Sequence, residues 1–338
     1  MKINKNKLLK TLEQVKSGLA SKEIVEQSTS FFFQNDRVMA YNDRISVSAP
    51  IEDVGIYGAV DAKDLMTFLN KIKKEEIELH IKDNQLKIKA EGKAGLTIQD
   101  IKMTFENDPM EVTEWFPLPD MFIPALRFTK NTCSQDYSRP KLLCINVRED
   151  GIIESSDGPR ISQYDVGPMK GDFGNFLILK MVVDHLVKYD VKYFSITDTW
   201  LYFKNDDGLF FSCRAQEEKN YINTSFVHDE GGIEIKLPKK LAEVVERVSV
   251  FSSEDLGIEE MITVNIQDKK MKLSAINQNG SWSNEELPIR YDKEPIEFCI
   301  HAKFFIEMLD KISTVEMTQR SLAFKTENWL YMVALSLK

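Results

Sequence analysis

The sequence predicts an α+β protein in which one unit, two helices packed on antiparallel sheets, is written three times. Two observations carry this. The segments Leu65–Ile72 (LMTFLNKI), Val182–Tyr189 (VVDHLVKY) and Phe305–Ile312 (FIEMLDKI) each place apolar residues at positions one, five and eight, which is helical spacing. Each also has lysine at position seven: Lys71, Lys188 and Lys311. Successive copies start about 120 residues apart, one domain length. The flanks repeat as well, with a longer amphipathic helix, a strand pair, the short helix and a meander of strands. A chain of 338 residues exceeds one ordinary core, which fits several domains.

The first unit, residues 1–114, opens with a helix over Asn6–Ala20 whose apolar stripe is Leu8, Leu12, Val15 and Leu19. SFFFQNDRVMAYNDRISVSAPI then reads as strands broken at Asn42-Asp43-Arg44. After the short helix, IELHI and LKIKA alternate around Asp83-Asn84 and predict a hairpin. The second unit, residues 115–229, has a weaker helix over Ile123–Ser134, with Leu126 and Phe128. Its strand pair turns at Asp157-Gly158-Pro159-Arg160, and its meander is YFSITDTWLYFKNDDGLFFSCRA. The third, residues 230–338, has a helix over Pro238–Ser253 on Leu241, Val244, Val245 and Val248. Its strands turn at Asn277-Gln278-Asn279-Gly280, and it ends in VEMTQRSLAFKTENWLYMVALSL. The joints fall near Glu114 and Glu230, where FPLPDMFIP and VHDEGGIEIKLP carry proline and glycine.

Composition narrows the function classes. Hydrophobic content of 43% with 29% charged residues is that of a globular chain. No apolar run approaches the roughly 20 residues that span a bilayer. The lysine-bearing start lacks an apolar signal core, so neither a membrane role nor secretion is expected. Cys133, Cys144, Cys213 and Cys299 form no CxxC pair, which argues against zinc or a disulfide framework and suits a reducing cytoplasm. His80, His185, His228 and His301 are isolated, and Cys133 with His185 has no local support as a dyad. Asp206-Asp207, Glu254-Asp255 and Glu259-Glu260 read as surface charge, and no phosphate-binding loop is present. Neither catalysis, a metal nor a cofactor is expected. The net charge of −9 opposes nucleic-acid binding in sum, but charge distribution decides such contacts. The first helix sets Lys5, Lys7, Lys10 and Lys16 against the single acid Glu13. Lys10 lies about half a turn of the helical wheel from Leu8 and Leu12, so it faces away from the core. No zinc finger or other base-reading motif accompanies these lysines.

In this order and spacing, several stretches resemble the bacterial DNA polymerase III beta sliding clamps over essentially the whole chain. They are Leu8–Val15 with FFFQNDRVMAYNDRISV, SRPKLLCINVREDGIIESSDGPRIS, LPKKLAEVVERVSVF and the terminal LYMVALSL. The resemblance implies a non-catalytic processivity factor: a head-to-tail homodimer whose six domains encircle duplex DNA without reading its sequence. Its partners would be a DNA polymerase and a clamp loader in the cytoplasm. Lys7, Lys10, Lys22, Lys71, Lys188 and Lys311 would face DNA; Asp136 occupies another such position, but its charge does not suit phosphate. A partner peptide would dock on Leu142, Ser156, Gly158, Pro159, Ile161, Val227, Met332 and Ala334. Ala334-Leu335-Ser336 replaces the family's usual apolar-Pro-Met, and Pro159 stands where histidine is common, which leaves the peptide preference open. The subunit contact would join Leu96 and Ile98 to Val250 and Phe251. The low similarity and short length fit a phage or plasmid-borne copy. A second reading is an interaction scaffold that keeps the clamp fold without encircling DNA.

Overall fold

The computed structural model describes residues 1–34, 36–51, 55–102, 109–171, 173–216, 220–225, 231–252 and 260–336. Among them, one order of eight strands and two α-helices occurs three times. The first pass is β1 (Lys2–Asn4), α1 (Lys5–Val15), β2 (Ser30–Gln34), β3 (Arg37–Tyr41), β4 (Ile45–Pro50), β5 (Gly58–Asp61), α2 (Ala62–Lys71), β6 (Glu76–Lys82), β7 (Gln85–Lys89) and β8 (Lys93–Thr97). The second is β9 (Phe116–Pro117), α3 (Phe122–Thr129), β10 (Cys144–Val147), β11 (Ile152–Ser156), β12 (Arg160–Asp165), β13 (Phe176–Leu179), α4 (Lys180–Leu186), β14 (Tyr193–Ile196), β15 (Trp200–Lys204) and β16 (Phe210–Arg214). The third is β17 (Ile233–Lys236), α5 (Leu241–Ser249), β18 (Met261–Gln267), β19 (Lys270–Ile276), β20 (Trp282–Pro288), β21 (Ile296–His301), α6 (Ala302–Leu309), β22 (Thr314–Met317), β23 (Ser321–Lys325) and β24 (Trp329–Ala334).

Local chemistry sets these limits. The Asn4 side chain accepts from the N–H groups of Asn6 and Lys7 and so starts α1. Leu8, Leu12 and Val15 are buried as expected, but the helix stops at Val15 rather than Ala20. Gly18 is the reason: a Cβ there would stand 2.3 Å from the Ala40 carbonyl oxygen. The chain tightens into a short 3-10 turn at Lys16–Gly18, and Leu19 is extended. In α3 the helix likewise gives way to a 3-10 turn, at Lys130–Thr132. Asp61 caps α2 through the Asp64 N–H. Asp83 and Asn84, both at φ 55°, make the left-handed two-residue turn joining β6 to β7.

The chain packs as two compact units, residues 1–124 with 168–219 and residues 125–167 with 220–338. The first holds a four-stranded sheet, β1-β6-β7-β8, and an eight-stranded one, β5-β2-β3-β4-β16-β15-β14-β9. The second holds the four-stranded sheet β20-β19-β18-β21 and the run β10-β11-β12-β24-β23-β22-β17. The strand pairs described are antiparallel, so one face of each sheet can be apolar while the other meets solvent. In the second unit, Val244, Val245 and Val248 of α5 and Phe305 and Met308 of α6 are buried with Ile262, Val264 and Leu273. Burying side chains of this size contributes about 1.5–3 kcal/mol each.

Each large sheet is sewn together where strands of successive repeats meet, β4 with β16 and β12 with β24. Equivalent hydrogen bonds close the two seams. The Arg214 N–H donates to the Arg44 carbonyl at 3.0 Å, and the Ala334 N–H donates to the Pro159 carbonyl at 2.8 Å. One residue on, Ala215 donates to Thr199 and Leu335 to Arg320; in the first repeat Ile98 donates to Asn84. Thr97, Arg214 and Ala334 therefore hold one position in three copies of the unit.

Candidate partner groove and DNA-facing surface

The β12–β24 seam brings together most of the groove residues expected from sequence. Ile161 pairs directly with Met332, and Ser156 with Ile161, so the three form one row across β11, β12 and β24. Ile161 and Leu330 are buried together with Met332 against them. This apolar cluster lies on the sheet face opposite Ser162 and Tyr331, because side chains alternate along each strand. Gly158 sits at φ +106°, a conformation open to glycine, and forms with Pro159 the turn that borders the row. Ala334 is exposed and half-buried Met332 remains reachable. Leu142 is buried in the 3-10 turn Pro140–Leu143, just before β10. Val227 and His228 lie outside the described residues.

The turn itself is held with nearly every polar group used. The Ser156 hydroxyl donates to the Arg160 carbonyl at 2.7 Å and accepts from the Gly158 N–H at 3.0 Å. Asp157 accepts from the Arg160 N–H and from its Nε, both at 2.9 Å. The Arg160 guanidinium reaches Glu307 of α6 at 2.7 Å, donates to the Asn131 carbonyl at 3.0 Å and stacks on the Phe304 ring. Burial alone would lower the pKa of Arg160, but Tyr331 and Asp157 beside it hold the group charged and shift it upward. A buried charge with this many partners is what the low dielectric demands. In the sequence Arg160 stands only as part of a motif; its partners Asn131 and Glu307 are too distant along the chain to suggest the cluster.

A second polar cluster borders the floor. Glu154, buried, accepts from Asn146 at 2.8 Å, Gln163 at 2.9 Å and Thr224 at 2.6 Å. Tyr221 uses its hydroxyl to accept the Ser156 N–H at 2.9 Å. The segment 220–225 is thereby pinned along β11 and β12, which no local pattern in the sequence indicates.

The lysines divide. Lys7, Lys10, Lys22, Lys71, Lys188 and Lys311 are all exposed, and Lys7 and Lys10 line one cleft with Asp207 across it. Lys311 also lies 5.6 Å from the centre of the Phe128 ring. Lys5 breaks the expected basic face: it is buried, and its ammonium donates to the Ile72 carbonyl at the end of α2 at 2.8 Å. A cation satisfying the last carbonyls of a helix is a structural use of lysine. Lys16 pairs with Glu13 on its own helix.

Two sheet edges carry the residues expected at a subunit contact or lie beside them. Leu96 is half-buried on β8, the outermost strand of its sheet. Ile98 follows it, and a Cβ on Gly58 would stand 2.4 Å from the Ile98 side chain, so Ile98 makes contacts inside its own unit. Val250 is 73% exposed at the end of α5, while Phe251 packs partly on the core of the second unit. The feature missed from sequence is β20, the outermost strand of its sheet, where Trp282 is 66% exposed opposite Ile276 at 65%. The signal was present: a tryptophan in the polar strand WSNEELP.

No protein-family model matches the chain, and no curated protein matches it. Solved structures do. The DNA polymerase III subunit beta of Pseudomonas aeruginosa superposes with a TM-score of 0.85 at 16% identity, covering 100% of both chains. The chain has the bacterial sliding-clamp fold. The sliding clamp of Bacillus subtilis gives a TM-score of 0.84 at 16% identity over 100% of this chain and 98% of that one. A Pseudomonas aeruginosa clamp bound to griselimycin gives 0.86 at 14% identity, covering 100% and 99%. Among the described residues no helix is long and apolar enough to cross a membrane, and no three His, Cys, Asp or Glu side chains group as a metal site.

Proposed function

We propose that the chain is a DNA sliding clamp: a non-catalytic cytoplasmic ring that encircles duplex DNA and tethers a polymerase and other partners, placed on DNA by a clamp loader. The observation that carries this reading is the clamp fold over the full length, with three repeats of one unit. The domains are taken as residues 1–114, 115–229 and 230–338, the repeat lengths read from the sequence.

The repeat rule also argues for a closed dimer. The third strand of the first group in repeats one and two pairs with the last strand of another repeat, β4 with β16 and β12 with β24. The corresponding strand of repeat three is β20, and the last strand of repeat one is β8; both are outermost in their sheets. A second copy offers each the partner it lacks, and an unpaired edge is a liability that pairing removes. The register of the other two seams carries over to Ser281 opposite Leu96, Trp282 opposite Gly95 and Asn284 opposite Lys93. Trp282 then lies over a glycine, and acidic Glu285 and Glu286 approach the lysines of β7 and β8. Val250 and Phe251 lie at the end of α5, which packs on β20. Replacing Trp282 with aspartate is expected to give monomers in sedimentation; an unchanged dimer mass overturns this register.

Exposed lysines then suit a ring. Lysine is a flexible point charge, and modest phosphate attraction permits sliding where tight contacts would brake it. The test loads the protein with a bacterial clamp loader and ATP on nicked circular DNA. Gel filtration should show it retained on circles and lost once the circle is cut. Equal retention before and after cutting would favour the scaffold reading.

A further inference from the structure

We infer that Tyr221 is a positioning residue of the partner groove, its hydroxyl fixing the Ser156 corner against which a docked peptide lies. The inference rests on the groove reading above. The paired run of β10 with β11 stops at Asn146 opposite Glu154, two residues short of Ser156. Beyond it, the Ser156 N–H finds no rung in that pairing and meets the Tyr221 hydroxyl at 2.9 Å instead. A side chain from the segment 220–225 thus takes the place of backbone at the end of a strand.

The consequences spread through one residue. Ser156 pairs with Ile161 in the floor row, its hydroxyl receives the Gly158 N–H, and it donates to the Arg160 carbonyl. Holding the Ser156 backbone therefore holds the turn that borders the floor. A second clasp, Thr224 on Glu154 at 2.6 Å, keeps the same segment down two residues along β11. The Tyr221 phenol is pushed strongly upward in pKa by burial, with Cys133 and Glu154 adding to it, so it stays neutral and able to accept. A site held by locked supporting hydrogen bonds loses less order when a ligand binds.

The test is Tyr221→Phe, which keeps the ring and removes only the acceptor. A labelled peptide from a bacterial polymerase, carrying its clamp-binding segment, is released from wild type, Y221F and M332D. Y221F is expected to speed dissociation about tenfold by loosening the Ser156 corner, with a modest fall in melting temperature from the unpaired N–H and the dimer mass unchanged. Hydrogen exchange at the Ser156 amide should rise in the unliganded protein. An alanine scan of the peptide should find one position whose loss abolishes the difference between Y221F and wild type, which a purely structural role would not produce. If M332D weakens binding but Y221F dissociates as wild type does, Tyr221 has no positioning role. If M332D is itself silent, the groove reading fails first.

Discussion

The seam of the first unit and the seam of the second share a backbone and carry opposite side chains. Across β3, β4, β16 and β15 one row reads Tyr41, Ser46, Ser212, Tyr202. The equivalent row across β11, β12, β24 and β23 reads Ser156, Ile161, Met332, Ala323. Large residues flank a small centre in the first; small residues flank a large apolar centre in the second. The next row repeats the contrast, with Arg214 and Trp200 in one and Ala334 and Ser321 in the other. Tyr41 and Trp200 approach to 6.1 Å between ring centres, and Arg214 lies 5.4 Å from the Trp200 ring. The first seam fills its own hollow. The second leaves an apolar floor with a low rim, and the proposed partner groove rests on that difference.

The ion pairs beside the seams differ as much. Arg160, whose side chain is 8% exposed, is enclosed with Asp157 and Glu307. The largest expected effect in this comparison is Arg160→Ala. It strands two carboxylates near buried surface and removes the stack on Phe304, a loss of about 3–5 kcal/mol in urea unfolding. Peptide binding should fail with it, since the turn loses its anchor. A loss below about 1 kcal/mol would show that the network is dispensable.

Next in size is a transplant of the first rim onto the second seam. Ser321→Trp with Ala334→Arg places the Trp200–Arg214 pair over Met332 at the same register. Peptide affinity is expected to fall about thirtyfold, on the order of 2 kcal/mol, with the dimer intact. Unaltered affinity in a titration would mean that rim size does not separate the seams.

How much of this was legible in sequence depends on the range of the interaction. The helical stripes were readable because Leu8, Leu12 and Val15, or Val244, Val245 and Val248, recur at a local period. The Asp83-Asn84 turn was readable because left-handed backbone limits residue choice. The end of α1 was not, because Gly18 answers to Ala40 on another strand. Lys5 looked like its neighbours on the helix, yet one position on the wheel turned it toward the Ile72 carbonyl. The Ile161–Met332 row was named through resemblance. Its supports, Arg160 on Glu307 and Tyr221 on Ser156, were not, since each joins distant segments with no local pattern. Nor could spacing alone reveal that β4 pairs with β16, which makes the two seams comparable at all.

The smallest effect isolates what the first rim does. Arg214 donates to the Asp43 carbonyl and carboxylate, both at 2.7 Å, and the carboxylate is the first cause raising its pKa. Both side chains are about half exposed, at 47% and 50%, so water and salt screen the pair. Arg214→Ala should therefore cost less than about 1 kcal/mol, and the difference should shrink further in high salt. It should also create no second peptide site, because Ser46 and Ser212 still form the floor beneath. Binding stoichiometry by calorimetry separates the two ideas. One peptide per chain in R214A means the floor, not the plug, decides where partners dock. Two peptides per chain would mean that Arg214 alone keeps the first seam closed, and the importance assigned to the Ile161–Met332 row would be misplaced.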